Sequence, residues 1–118
     1  MERDPRAYLW DVQQAADAIE QFVGDLDAAG YVQNALVRAT VERQFEIMGE
    51  ALNRLSKTSP DLARGMPEFA EIVGFGNVLI HGNATIDHAR VWQIAQTSLP
   101  GLRKAVSALL AELGPPDT

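Results

Sequence analysis

Residues 41–55 read VERQFEIMGEALNRL. The apolar residues of this stretch recur at alternating spacings of four and three, at Val41, Phe45, Met48, Leu52 and Leu55. This spacing places them on one side of an α-helix, as a seam that packs nearly antiparallel to another helix. We therefore predict a helix from about Asn34 to Lys57. We also expect the seam to offer more apolar edge than one copy of the chain can cover, which favours a homodimer.

Helix signals also mark the N-terminal part of the chain. Asp4 followed by Pro5 is a typical helix start, because the aspartate caps free N–H groups and the proline fits the first turn. Apolar residues then recur every three or four positions until Gly30, which predicts a first amphipathic helix. Further along, prolines bracket residues 61–65, and we expect one short turn of helix there.

The C-terminal part has the pattern of one more helix. Asp87 can cap it, and its apolar positions continue to Gly114. Pro100 lacks a backbone N–H and its ring crowds the preceding turn. We therefore predict a kink in this helix near Ala95–Gln96.

The segment from Pro67 to Gly82 is locally ambiguous. Its apolar residues follow helical spacing, but the run 77–81 between glycines could also form a buried strand. A helix is favoured because the sequence contains no second strand to pair with it. The sequence thus predicts one all-α domain over residues 1–118, a bundle of four main helices plus a short connecting helix.

Composition and charge exclude several classes of protein. The chain has no cysteine and only two histidines, so we expect no structural metal and no other cofactor. A net charge of -6 argues against DNA binding and against broad nucleic-acid binding, so any RNA contact must be local. No apolar run approaches the roughly 20 residues of a membrane span, and the N-terminus lacks signal-peptide features. We expect a cytoplasmic protein.

Polar residues on the 41–55 helix form the first candidate site. Arg43, Glu46 and Glu50 follow each other at steps of three and four, so they share one face and can support a functional site. A solvated charged stripe is the alternative. Gly49 in mid-helix costs about 1 kcal/mol relative to alanine, which suggests a close backbone crossing there.

Two polar residues near the end of the 67–82 segment form the second candidate site. Asn77 lies one helical turn before His81, so an amide and an imidazole would point in nearly the same direction. A structural, hydrogen-bonded histidine is the alternative. His88 follows the expected cap Asp87, and we assign it no role because we expect it to be exposed in a first helical turn.

Together these segments resemble HepT, a bacterial family of HEPN-domain toxins whose partners are minimal nucleotidyltransferase (MNT) antitoxins. The resemblance covers essentially the whole chain and rests on Glu42–Ala51, Phe75–His81, Ile86–Asp87 and Val91–Trp92. It implies a HEPN-type homodimer in which two motif regions face a shared cleft. It also implies a metal-independent endoribonuclease, in which a ribose 2′-hydroxyl attacks the adjacent phosphodiester of the RNA substrate.

The family's active motif is Arg-x4-His-x-Tyr, and the corresponding residues here are Gly76, His81 and Asn83. The resemblance assigns proton transfer to His81, with Asn77 beside it, as the catalytic residues. Gly76 offers no cation for the charge that develops on phosphorus, and such a loss costs about 100-fold or more in rate. The resemblance also implies that the antitoxin adenylylates the hydroxyl of the motif tyrosine, which Asn83 lacks. We expect an impaired nuclease that is refractory to this modification, either a detoxified variant or a naturally decayed homologue.

Two other functions fit the same residues. The chain could be a non-catalytic helical adaptor that binds a nucleotidyltransferase partner, with His81 structural, or a dimeric bundle without any chemistry. Under the enzyme hypothesis, Gly76→Arg alone should restore toxicity. Asn83→Tyr alone should chiefly restore susceptibility to the antitoxin's modification.

Overall fold

The computed structural model describes residues 3–81 and 86–114. Within these residues the chain forms seven helices and no strand: α1 Pro5–Val23, α2 Ala28–Gln33, α3 Ala35–Thr58, α4 Pro60–Arg64, α5 Phe69–His81, α6 His88–Thr97 and α7 Leu99–Leu113. The predicted all-α fold is confirmed, and residues 77–81 complete helix α5 instead of forming a strand. The four predicted main helices correspond to α1, α3, α5 and the pair α6–α7. The short connecting helix is α4.

The first helix is shorter than its apolar pattern indicated. Asp4 caps it by accepting a hydrogen bond from the backbone N–H of Arg6, as its position before Pro5 suggested. The helix ends at Val23 because Gly24 adopts a φ of 52°, a left-handed conformation that favours glycine. Gly30 belongs to a separate short helix, α2, which begins at Ala28.

Pro100 breaks the C-terminal helix further along the chain than expected. We predicted a kink near Ala95–Gln96, but α6 continues to Thr97 and α7 begins at Leu99. Pro100 then lies in the first turn of α7, where its missing N–H leaves no hydrogen bond unmade. A fresh start therefore avoids the clash that a proline inside a continuous helix would cause.

Helix α3 lies at the centre of the bundle, where it packs mainly against α1 and α5. Its apolar seam is fully buried. The seam consists of Val41, Phe45, Met48, Leu52 and Leu55. The reason we gave for a homodimer was therefore wrong, since one copy of the chain covers the whole seam. The large exposed apolar residues lie elsewhere, and they include Val78 and Ile80 on α5.

Helices α3 and α5 cross in backbone contact at two glycines. Gly49 faces the carbonyl groups of Ile72 and Val73, and Gly76 faces the carbonyl group of Phe45. The two helices therefore run antiparallel, because residues later in α5 contact residues earlier in α3. This direction places the C-terminal end of α5 beside the N-terminal half of α3.

Candidate active site at the end of helix α5

His81 is the last residue of α5, and it is exposed. Asn77 is also exposed, one turn earlier on the same side of the helix. The opposite side of α5 is buried and contains Ile72, Gly76 and Leu79. The structure therefore places an amide and a solvent-accessible imidazole together on a free helix face. An imidazole in such a position can exchange a proton with a bound molecule.

Gly76 lies on the buried side of α5, away from this face. A methyl group on its Cα would lie 3.2 Å from Cα of Gly49 and 3.2 Å from the carbonyl oxygen of Phe45. Both neighbours are backbone atoms, so a side chain at position 76 requires the two helices to separate. The arginine that we expected to restore toxicity therefore has a steric cost that the sequence did not reveal. Asn83 lies outside the described residues.

The charged stripe on α3 is paired along its own helix. Arg43 lies 4.0 Å from Glu46, measured between Nη1 and Oε2. Glu50 pairs with Arg54 at 2.9 Å. Arg43, Glu50 and Arg54 are all more than half exposed, and exposed pairs of this spacing stabilise a helix by only about 0.3–0.5 kcal/mol. These contacts resemble the solvated stripe that we kept as the alternative.

His88 is more constrained than the sequence suggested. Its side chain is only 28% exposed, and its Nε2 lies 2.8 Å from Nη1 of Arg38. A guanidinium group can only donate, so Nε2 accepts this hydrogen bond and the ring proton belongs on Nδ1. Nδ1 faces a carboxylate oxygen of Glu42 at 3.4 Å. Our expectation that His88 is exposed was wrong.

Tyr31 adds a fourth member to this polar group, which joins helices α2, α3 and α6. No part of Tyr31 is exposed, and its hydroxyl has no hydrogen-bond partner among the described residues. Burial raises the pKa of Tyr31 well above its ordinary value; the negative charge of Glu42 raises it further and Arg38 partly offsets both. We call Tyr31, Arg38, Glu42 and His88 the α2–α3–α6 cluster.

The sequence did contain a signal for half of this cluster. Arg38 and Glu42 precede Phe45 and Gly49 at spacings of four, three and four, so they continue the stripe of α3 that faces α5. Charged residues on a buried stripe require partners. The identity of those partners depends on tertiary structure, because Tyr31 and His88 belong to other helices.

Two further observations concern the residues that the structure describes. Among residues 3–81 and 86–114, no three histidine or acidic side chains come together as a metal site would require. None of the helices in these ranges combines the length and the apolar character that crossing a membrane demands.

Comparison with known proteins relates this chain to one family and to several named relatives. Residues 12–109 match the family model described as Ribonuclease HepT-like. A protein of Methanocaldococcus jannaschii named "Putative RNase" is 32% identical over 104 residues, which are 88% of this chain and 94% of the relative. A "Probable ribonuclease HepT" of Thermococcus cleftensis is 29% identical over 106 residues, or 87% and 93% of the two chains. No solved structure matches this chain.

Proposed function

Because the chain belongs to the HepT-like ribonuclease family, we propose that it is the toxin component of a HEPN/MNT toxin–antitoxin system in the bacterial cytoplasm. Its activity in this proposal is the cleavage of RNA without a metal ion. The main support is that the family match includes α3 and α5, and that α5 ends in an exposed histidine, His81. The partner in this proposal is an MNT-type nucleotidyltransferase antitoxin.

The proposed reaction uses the exposed face of α5. His81 removes the proton from a ribose 2′-hydroxyl, whose oxygen attacks the adjacent phosphorus while the bond to the 5′-oxygen breaks. The products are a 2′,3′-cyclic phosphate and a 5′-hydroxyl, whose oxygen takes its proton from water. Asn77 lies one turn away and can donate its amide N–H to a phosphoryl oxygen. Gly76 contributes no charge, so we propose that cleavage is slower by about 100-fold or more than with an arginine at that position.

We propose a homodimer, supported by the apolar surface beside His81. Val78 is 56% exposed and Ile80 is 46% exposed, and they flank the Asn77–His81 face on its two sides. Burying these side chains against a second copy would remove them from water. A symmetric pair would also bring two His81 side chains to one cleft.

The adaptor hypothesis remains the second candidate, and one observation favours it. Gly76 is part of a tight helix crossing, so the motif position has a packing role in this chain. A protein that only holds a nucleotidyltransferase would need the helix packing and would not need a cation at this position.

The deciding experiment measures cleavage of a fluorescent single-stranded RNA in the presence of EDTA. We expect slow cleavage by the unaltered protein and none by His81→Ala. The double variant Gly76→Arg with Asn83→Tyr should cleave faster, and Gly74→Arg is its matched control because Gly74 is exposed with open space around it. If the unaltered chain and the folded double variant both fail to cleave RNA, the adaptor function replaces the ribonuclease.

A further inference from the structure

Arg38 differs from every other arginine of the described chain. The protein contains 16 acidic residues against 10 basic ones, so carboxylate partners are in surplus. Arg38 nevertheless has no carboxylate within 4.0 Å among the described residues, and Glu42 faces His88 instead. Each of the other arginines has one: Arg3 with Asp11, Arg6 with Asp4, Arg43 with Glu46, Arg54 with Glu50, Arg64 with Asp61, Arg90 with Glu71 and Arg103 with Asp17.

The α2–α3–α6 cluster also holds more hydrogen-bond donors than it uses. Arg38 donates from Nη1 to the neutral nitrogen of His88, while its Nε is buried and has no acceptor among the described residues. The buried hydroxyl of Tyr31 likewise has no partner there. The half-buried guanidinium of Arg38 thus bonds an uncharged acceptor, and the one carboxylate of the cluster, that of Glu42, pairs with His88 and not with Arg38. A bound anion would supply Arg38 with a charged acceptor.

The cluster lies at the end of the bundle to which His81 belongs. Helices α3 and α5 are antiparallel, with Gly76 beside Phe45 and Gly49, so α5 continues from there toward the Arg38–Glu42 part of α3. His81 ends α5, and only six residues separate it from His88 at the start of α6. A chain of phosphates that reaches His81 can therefore extend toward Arg38 and His88.

We propose that Arg38 and His88 form a subsite for a phosphate group of the RNA backbone. One phosphoryl oxygen accepts a hydrogen bond from the guanidinium of Arg38. A second oxygen accepts one from Nε2 of His88, which takes up a proton from solvent on binding. The carboxylate of Glu42, 3.4 Å from Nδ1, stabilises the positive charge of the ring. One N–H···N hydrogen bond is thereby exchanged for two hydrogen bonds to an anion, which are stronger.

This subsite would supply a positive charge that the motif position Gly76 does not. Its assignment to RNA rests on the proposed ribonuclease function, whereas phosphate binding by the cluster does not depend on cleavage. Arg38 is a binding residue in this proposal, and proton transfer at the 2′-hydroxyl stays with His81.

The test measures binding of a fluorescent 2′-O-methyl oligoribonucleotide, which cannot be cleaved because its 2′-oxygen is blocked. We expect Arg38→Gln to weaken binding about tenfold and to lower the slope of log Kd against log salt by about 1. Arg64→Gln removes the same charge from an exposed ion pair and should change Kd less than twofold, about the limit of such a measurement. Arg38→Lys keeps the charge without the planar fork and should fall between them.

Two results would overturn the proposal. One is an Arg38→Gln protein that thermal melting shows to be folded and that binds the oligonucleotide as tightly as the unaltered chain. The other is an NMR titration in which inorganic phosphate shifts the signals of His88 and the oligonucleotide does not displace it. That result would assign the cluster to a small phosphate compound. His81→Ala should lose cleavage and retain binding, so that failure of the ribonuclease function and failure of the subsite are distinguishable.

Discussion

Gly49 and Gly76 lie in backbone contact at the crossing of α3 and α5, with room for no more than hydrogen atoms between their Cα positions. A methyl group on either Cα would lie 3.2 Å from the Cα of the other residue. The contact lets α5 approach α3 closely enough for Phe45 and Phe75 to meet edge to face, with ring centroids 5.2 Å apart. It thus determines where the helix that ends in His81 lies on the bundle.

Alanine at position 76 should destabilise the protein, although alanine is the better helix former. The new methyl group pushes backbone against backbone, and overpacking of this kind costs about 1–3 kcal/mol. The matched control is Gly74→Ala, where nothing lies within 4 Å of the new methyl group. The better helix propensity of alanine should raise the free energy of unfolding of this variant by as much as about 1 kcal/mol. Urea denaturation measures both free energies of unfolding. Equal stability changes for the two variants would show that the crossing tolerates a wider separation.

Arginine at position 76 should raise the rate of RNA cleavage and lower stability at the same time. The long side chain can extend past the crossing to bring its charge to the surface, which should accelerate cleavage by about 100-fold. Its Cβ meets the same backbone atoms as that of alanine, so the free energy of unfolding should fall at least as much. Single-turnover cleavage and urea denaturation on the same preparation measure both effects. A folded Gly76→Arg protein that cleaves no faster than Gly74→Arg would contradict the role assigned to this position.

The helices were predictable because their signals are local, whereas the polar contacts were not. Asp4 before Pro5 and the spacing of Val41 and Phe45 depend only on neighbours in the chain, and the structure has the helices they predict. The break at Ser98 was missed because a proline can kink a helix or begin a new one, and packing decides between them. His88 was misjudged because Arg38 lies 50 residues away.

The buried hydroxyl of Tyr31 should make the protein unstable in alkali. Because the pKa of Tyr31 is raised in the folded protein, the unfolded chain loses this proton first as the pH rises above about 10. Stability from this group is therefore fully present below that pH and is lost above it. Tyr31→Phe should remove this loss between pH 9 and pH 11, about the range that brackets ordinary tyrosine titration. At neutral pH it should be neutral or slightly stabilising, since it deletes a polar group without a described partner.

Urea denaturation at the two pH values tests the role of Tyr31, with Tyr8→Phe as the control. Tyr8 is also nearly buried, but Arg3 lies over its ring at 5.0 Å. The Tyr8 variant should keep the alkaline loss of the unaltered chain. The same loss in Tyr31→Phe would mean that other groups cause it.

Binding of the oligoribonucleotide should weaken as the pH rises, and His88 should be the cause. In the proposed subsite the phosphate is bound by a protonated His88, so binding takes up a proton. By linkage, affinity then falls as the pH rises. His88→Gln keeps a polar side chain of similar reach but cannot take up the proton, so its Kd should be nearly independent of pH.

His81→Gln removes the only other histidine of the chain and should retain the pH dependence of binding. Fluorescence anisotropy at constant ionic strength measures all three proteins. If His81→Gln abolishes the pH dependence and His88→Gln preserves it, the proton taken up on binding belongs to the end of α5 and not to the α2–α3–α6 cluster.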